Sequence, residues 1–194
     1  MKSNSTTLYC FLKKHYSNIL FALLVVLLLI PTTRTPIVVF VQRLIAFSPS
    51  TIPTEEQNTL TDYQWKLRGL NTNSQFNEAQ NEVVFVNFWA TWCPSCIAEM
   101  PSIQELYNDY GNKVQFFLVS NESQSKIEGF ITKNNYTFPV YQALEASPKI
   151  LESQALPTTY LISKTGKTVI KKTGVADWNS EKTRAIIDNL LGQN

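Results

Sequence analysis

The two cysteines of one Cys-x-x-Cys motif, Cys93 and Cys96, constrain this chain more than any other feature of its sequence. A run of apolar and aromatic residues at 83–89 leads into Cys93, and a helical pattern follows from about 94 to 110. This order predicts that Cys93 lies at a helix N-terminus, where unpaired backbone N–H groups and the helix dipole favour a thiolate. Cys96 follows one turn later, close enough to attack a mixed disulfide. We therefore predict a redox pair in which Cys93 is the nucleophile and Cys96 the resolving thiol.

Other interpretations of the cysteine pair are weaker. A structural zinc site needs two more ligands, but the sequence after residue 60 contains no His and no further Cys. Covalent haem attachment needs a His after the second cysteine, and Ile97 stands there. A static disulfide stays open. Pro94 suits an early helical position, because its missing N–H costs nothing there. We expect a redox-active disulfide with no metal and no cofactor.

The N-terminal part of the chain predicts a membrane segment. Residues 19–30 are twelve apolar residues without interruption, and Lys13 and Lys14 precede them. A spanning helix needs about 20 apolar residues and a signal-peptide core about 7–15. No small-x-small cleavage site follows Ile30, so we favour an uncleaved single-pass anchor over a signal peptide that is removed after export. The basic residues place the N-terminus in the cytoplasm and the rest of the chain on the extracytoplasmic side, the periplasm in a bacterium.

Composition divides the chain into three parts. Residues 1–47 are the anchor or signal segment, residues 48–59 are a linker rich in Pro, Ser and Thr, and residues 60–194 are the globular domain. A second apolar stretch at 37–47 is interrupted by polar residues and is expected at the membrane interface. Cys10 is expected on the reducing side or at the lipid boundary, unable to pair with the other two cysteines.

Periodicity within the globular domain predicts strands that alternate with helices. The predicted strands are 63–68, 83–89, 114–120, 138–141, 158–162 and 167–171, and the predicted helices are 94–110, 124–134, 147–153 and one that begins near Asn179 or Ser180. The turn residues 164–166 predict a hairpin between the last two strands. This order favours an α/β fold with a mixed central sheet flanked by helices.

Two separated motifs resemble a known family. The first is Asn-Phe-Trp-Ala-Thr-Trp-Cys-Pro-Ser-Cys at 87–96, followed by Glu-Met-Pro at 99–101, and the second is Ala-Leu-Pro-Thr-Thr-Tyr-Leu-Ile at 155–162. From about residue 60 to the C-terminus the chain resembles the thioredoxin superfamily. Within it, the chain is most similar to the membrane-anchored extracytoplasmic branch typified by TlpA and ResA. The resemblance implies a thioredoxin-like fold with an insert between residues 121 and 153.

The resemblance also implies roles for single residues outside the cysteine pair. Pro157 matches the family's cis-proline, which lies beside the cysteines and offers its backbone to an incoming peptide or thiol. Pro101 matches the proline within the active-site helix, and the alternative is a helix that ends there. Trp92 and Trp89 are expected to pack around the site, although both could be ordinary core or surface aromatics.

Asn87 departs from the cytosolic thioredoxin pattern, which has a buried Asp at this position. An amide cannot take a proton, so Asn87 cannot help to deprotonate the resolving cysteine. The TlpA/ResA-like branch often has Asn there and a Glu three residues beyond the second cysteine, which Glu99 matches. We expect Glu99 to face the pocket of Cys96 and to tune the thiol pKa values or relay a proton. The alternative is a solvated helix carboxylate.

These features favour an enzyme, a protein-disulfide reductase acting on extracytoplasmic proteins such as apocytochrome c. Its partners are expected to be protein thiols and disulfides and a membrane electron donor of unknown identity. Oxidant and isomerase roles stay open, as does a non-enzymatic, membrane-tethered binding module. Peroxiredoxins share the fold but place a Thr three residues before their cysteine, whereas Thr91 is two before Cys93. A net charge of +2 without a Lys/Arg cluster argues against nucleic-acid binding.

Overall fold

The computed structural model describes residues 4–193, except for the side chains of 4–14, 28, 31 and 32. Two helices come first, α1 over Asn4–Leu29 and α2 over Pro31–Leu44. No helix in the described part of the chain has both the length and the apolar character that a membrane span requires. The side chain of Cys10, to which the sequence assigns a separate location, lies outside the described residues.

A six-stranded mixed sheet forms the centre of the globular part. Its strands are β1 (Leu67–Gly69), β2 (Val84–Phe88), β3 (Gln115–Ser120), β4 (Val140–Ala143), β5 (Thr158–Ile162) and β6 (Thr168–Thr173). The order across the sheet is β1-β4-β3-β2-β5-β6. Strand β3 is parallel to β2 and β4, whereas β1 is antiparallel to β4 and β5 is antiparallel to both β2 and β6. The mixed α/β architecture predicted from the sequence is confirmed.

Both faces of the sheet are buried, because alternate side chains of its strands point to opposite sides. Phe85 of β2 belongs to the cluster that the three C-terminal helices cover. These helices are α3 (Pro94–Tyr110), α4 (Gln124–Asn134) and α5 (Glu181–Gly192). Val84 and Val86 point the other way, into a cluster closed by Tyr63, Trp65 and Phe76. The central strand β2 is thus buried on both sides, and it fixes the position of the motif that follows it.

The sequence-based boundaries are wrong at three places, each for a local reason. Strand β1 begins at Leu67 rather than at residue 63. Leu67 pairs with Ala143, the last residue of β4, so β4 offers no partner to residues 63–66. Strand β4 begins at Val140, since Pro139 has no N–H to contribute to the ladder. Residues 147–153 contain a single 3₁₀ turn at Lys149–Leu151. Pro148 stands directly before it and is extended, which prevents a longer helix.

The hairpin of β5 and β6 is confirmed, and its turn requires glycine at position 166. Gly166 has a φ of +79°, and a Cβ there would lie 2.6 Å from the carbonyl oxygen of Leu60. The predicted linker lies close by. The Ile52 N–H donates to the Val169 carbonyl at 2.8 Å, and Thr59 forms a β-bridge with Lys167. Residues 52–59 are therefore packed along β6, while the three-part division of the chain stays a prediction.

Candidate functional site

The cysteine pair occupies the first turn of α3, as the sequence predicts. Cys93 is the N-cap of the helix, and Pro94 occupies its first position. The two cysteines form a disulfide, with their Cα atoms 5.3 Å apart. The backbone N–H of Cys96 donates to the Cys93 Sγ at 3.2 Å. This N–H is one of the groups that a helix leaves unpaired at its start, so it is available to stabilise negative charge on Cys93.

The disulfide is almost completely shielded from solvent. Cys96 is fully buried, and Cys93 is 4% exposed. Trp92, directly before the pair, is 69% exposed and lies on the rim of the site. Trp89 is buried and packs on Phe130 with ring centroids 5.4 Å apart. Of the two tryptophans expected around the site, Trp89 is therefore a core residue and Trp92 a surface residue.

The Leu156–Pro157 peptide bond is cis, in agreement with the prediction from the resemblance. Strand register explains why this proline lies near the cysteines. Strand β5 begins at Thr158, which pairs with Phe88 at the end of β2. Pro157 and the loop to Cys93 therefore leave the sheet at the same edge. A cavity of about 320 Å³ opens at this edge between Phe88, Leu156 and the loops after β2 and β3.

Glu99 is buried one turn after Cys96 and is only 1% exposed, so the alternative of a solvated helix carboxylate is wrong. The Asn87 side-chain amide donates to its Oε1 at 2.7 Å. The indole N–H of Trp178 donates to its Oε2 at 3.0 Å. The Asn87 amide also donates to the Thr159 hydroxyl at 2.8 Å. Asn87, which stands where cytosolic thioredoxins have an Asp, is therefore hydrogen-bonded directly to Glu99, the carboxylate that we expected to take over the role of that Asp.

Burial raises the pKa of Glu99 to about 8, against the hydrogen bonds from Trp178 and Asn87, which lower it. A backbone hydrogen bond from Ala176 and the charge of Lys172 lower this pKa further, but less than burial raises it. An ordinary cysteine thiol has a pKa of about 8.5, so the pKa of Glu99 lies close to that of an unperturbed thiol.

Asn87 has one side-chain atom without a hydrogen-bond partner. Its Oδ1 is buried and has no hydrogen-bond partner within the described residues. An unsatisfied buried acceptor costs free energy, on the order of 1–3 kcal/mol. If the amide turns over, Oδ1 can accept a hydrogen bond from a protonated Glu99, whereas the present orientation donates to the carboxylate. The pair can thus serve both protonation states of Glu99.

Trp178 and Ser102 belong to the same network, and sequence reasoning missed both. Trp178 lies in the loop between β6 and α5, is fully buried, and makes an edge-on contact with Phe85 at 5.1 Å. Its backbone N–H donates to the Ser102 hydroxyl at 3.2 Å, and that hydroxyl donates to the Glu99 carbonyl at 2.8 Å. A single tryptophan in a loop gives no spacing signal, so only the three-dimensional fold could identify it.

Glu122 positions the loop before the cysteines and was also missed. Its carboxylate accepts two hydrogen bonds from Thr91, one from the backbone N–H at 2.6 Å and one from the hydroxyl at 2.9 Å. Glu122 follows β3, so the contact joins the loops at the ends of two adjacent parallel strands. This double hydrogen bond fixes the backbone two residues before Cys93.

A family model gives the first comparison with known proteins. The model of the AhpC/TSA family matches residues 57–172, which include both motifs of the site. Among curated relatives, the thiol-disulfide oxidoreductase ResA of a Bacillus cereus strain is 36% identical over 105 residues, which are 52% of this chain and 60% of that protein. ResA of Oceanobacillus iheyensis is 38% identical over 96 residues, 48% of this chain and 50% of that protein. The aligned part thus spans between one half and three fifths of these relatives.

Solved structures give a second comparison, at the level of the fold. A DsbF homologue from Corynebacterium diphtheriae has a TM-score of 0.58 at 17% identity, covering 73% of this chain and 92% of that one. A thiol-disulfide isomerase from Corynebacterium glutamicum has the same TM-score of 0.58 at 17% identity, covering 72% of this chain and 99% of that one. These likenesses establish a thioredoxin-like fold for the part that carries Cys93 and Cys96.

Proposed function

Because this chain belongs to the AhpC/TSA family of thioredoxin-like proteins, we propose that it is a thiol–disulfide oxidoreductase that uses Cys93 and Cys96. The observation that carries the proposal is their disulfide at the first turn of α3, with the cis-proline Pro157 at the same edge of the sheet. A purely structural disulfide does not require a buried group that can bind and release a proton close to it. Glu99, one turn after Cys96, is such a group.

The reaction follows from the positions of the two sulfurs. In the reduced protein the Cys93 thiolate attacks one sulfur of a substrate disulfide, and the other substrate sulfur leaves as a thiolate that takes up a proton. The mixed disulfide is then attacked by Cys96, whose proton passes to the ionised form of Glu99 and from Glu99 to the departing substrate thiolate, so that the second substrate thiol is released. The Cys93–Cys96 disulfide remains, and two electrons and two protons from a donor restore the dithiol.

We assign the reducing direction and protein disulfides as substrates, on the resemblance to the TlpA/ResA-like branch. Disulfides of extracytoplasmic proteins, including apocytochrome c, are the proposed substrates, and a membrane protein is the proposed electron donor. The named ResA relatives support the chemistry but are matched over only part of their length. A thiol peroxidase is less favoured, because Thr91 stands two rather than three residues before Cys93.

We place the globular domain outside the cytoplasm, on a segment within residues 1–47 that stays in the membrane. The apolar residues of α1 support the membrane location of this segment, because Leu20, Leu24 and Leu29 are exposed and are not covered by the globular domain. The apolar residues that end α2 and follow it are exposed as well, Phe40, Val41, Leu44, Ile45 and Phe47. A lipid surface can cover both sets.

Reduction of insulin disulfides by the full chain in detergent tests the proposal. With dithiothreitol as the electron source, we expect catalysis by the parent chain and by Cys10→Ser, and background rates for Cys93→Ser and Cys96→Ser. Equal rates for the parent and Cys93→Ser contradict an enzyme and favour the binding module. Consumption of hydrogen peroxide without insulin reduction favours the peroxidase.

A further inference from the structure

One side chain of helix α2 contacts the Cys-x-x-Cys motif. The Gln42 side-chain amide donates to the Ser95 hydroxyl oxygen at 2.9 Å. Ser95 lies between the two cysteines, at the second position of α3. Gln42 lies outside residues 57–172, the part that matches the AhpC/TSA family. A group from outside the matched domain therefore contacts the redox motif directly.

Helix α2 is seated on the domain by more than this hydrogen bond. Val39, one turn before Gln42, is buried. Further along, Arg43 and Ala46 line one side of a small cavity whose other side includes Pro101 of α3. The Asp177 N–H donates to the Phe47 carbonyl at 3.2 Å. Asp177 directly precedes Trp178, the donor to Glu99, so the end of the α2 segment also holds the loop on which Glu99 depends.

The orientation of the Gln42 amide points to a redox role. Its Oε1 is buried and has no hydrogen-bond partner in the part of the chain that the structure describes. This arrangement costs free energy, because a buried acceptor is left without a hydrogen bond. The donating end of the amide holds Ser95, whose peptide bond to Cys96 carries the N–H that donates to the Cys93 Sγ at 3.2 Å. Negative charge develops on this sulfur when the disulfide is reduced, so Gln42 favours the thiolate by fixing Ser95.

We propose that Gln42 is a positioning residue of the redox site, and that through Ser95 it makes the Cys93–Cys96 disulfide easier to reduce. The proposal rests on the proposed function. It adds that α2 is part of the active site. A fragment that begins after α2 is therefore expected to differ from the full chain in the equilibrium constant for reduction of the disulfide. In the test, glutathione supplies the electrons: two glutathione thiols are oxidised to one glutathione disulfide as the protein disulfide becomes two thiols.

Equilibration of the full chain with glutathione buffers in detergent tests this proposal. We expect Gln42→Ala to lower the equilibrium constant for reduction of the disulfide at least threefold, which is about 14 mV for a two-electron couple. Gln42→Glu is expected to lower it further, since a carboxylate opposes a thiolate. The pH midpoint of Cys93 alkylation is expected to rise in both variants.

Two controls separate redox tuning from a structural role. Gln104→Ala removes another glutamine, on the exposed side of α3, which donates to Thr137 at 2.8 Å, and it is expected to leave the equilibrium constant unchanged. Ser95→Ala is expected to reproduce the effect of Gln42→Ala. The double variant of Gln42 and Ser95 is then expected to differ little from either single variant, because both remove one interaction.

Two results overturn the proposal. One is an unchanged equilibrium constant in Gln42→Ala, and the other is additive effects in the double variant. Its failure is distinguishable from failure of the proposed function. If insulin reduction still depends on Cys93 while Gln42→Ala behaves like the parent chain, the enzyme stands and only the role of α2 fails.

Discussion

The indole N–H of Trp178 donates a hydrogen bond to the buried Glu99 carboxylate at 3.0 Å, although the two residues lie 79 positions apart in the chain. The contact joins the loop before the last helix to the helix that carries the cysteines. Glu99 has a second donor in Asn87 of the central strand. A carboxylate held by a strand, a loop and its own helix has little freedom to move, so its distance from Cys96 is set by the fold.

Glu99→Gln is expected to remove a pH dependence from folding stability. The folded pKa of about 8 lies above the model value of 4.5, so the folded state holds the proton more tightly than the unfolded state. The stabilisation from this proton is complete below about pH 4.5 and is lost as the pH rises through 8. In urea unfolding of the oxidised protein between pH 5 and 9, the parent chain should lose stability on the order of a few kcal/mol. The Gln variant should lose much less.

Glu105→Gln is the control for that experiment, since it removes an exposed carboxylate from the same helix. It should retain the pH dependence of the parent chain. The thiols give a second readout: the pKa of the Cys96 thiol should fall in Glu99→Gln, because no carboxylate then opposes the thiolate. Unchanged thiol pKa values would exclude the proton-relay role.

Trp178→Phe is expected to keep most of the packing and to lose the donor to Glu99. The folded pKa of Glu99 should then rise further, because one of the interactions that lower it is gone. Unfolding stability should fall by about 1–3 kcal/mol, the cost of leaving a buried acceptor with one partner fewer. Trp65→Phe is the matched control, since Trp65 is also buried and donates to the Glu145 carbonyl at 3.3 Å, far from Glu99 in the fold. A shift of the pH dependence in Trp65→Phe contradicts the assignment.

Thr91→Val is expected to slow insulin reduction more than it lowers stability. The substitution removes the hydroxyl donor to Glu122 but keeps the backbone donor and the side-chain shape. With one of two hydrogen bonds gone, the loop before Cys93 is held less firmly, and a slower rate follows from poorer positioning. Thr137→Val is the control, because its hydroxyl accepts from Gln104, which lies near the middle of α3 and away from Cys93. Equal rates for both variants argue against a positioning role for Glu122.

Gly166→Ala is expected to destabilise the domain by about 1–3 kcal/mol, because φ is positive there and a Cβ meets the Leu60 carbonyl. Gly129→Ala gives the opposite expectation. Gly129 lies within α4, and a Cβ there meets nothing within 4 Å, so alanine should stabilise by about 0.5–1 kcal/mol. Thermal or urea unfolding of both variants checks the pair. A stable Gly166→Ala would contradict the turn geometry.

The parts of the fold that follow from local sequence could be predicted. The buried run before Cys93, the helix to Tyr110 and the hairpin around Gly166 all depend on near neighbours in sequence, and the structure confirms them. Pro101 lies inside α3 without ending it, as the apolar periodicity beyond it predicts. Cys93, Cys96, Glu99 and Pro157 were found because motif spacing and the family resemblance identify them.

The rest depends on tertiary contacts. Trp178, Glu122 and Gln42 reach the site from a loop, a strand end and a separate helix, and none of them has a spacing that relates it to Cys93. The N-terminal segment is a further example of a contact that sequence could not predict. Its apolar pattern predicts a membrane segment, but the pattern does not show that one face of α2 packs on α3.

The most direct test of the central claim is to trap the substrate on the nucleophile. The Cys96→Ser variant, reduced and then mixed with an insulin disulfide, cannot resolve the mixed disulfide that it forms. Peptide mapping by mass spectrometry should find the insulin peptide attached to Cys93. Cys93→Ser should accumulate far less adduct, because Cys96 is fully buried and only Cys93 has its sulfur at the helix N-terminus, where it accepts a backbone hydrogen bond. Attachment of insulin to Cys10, or the absence of any adduct in Cys96→Ser, would contradict the account.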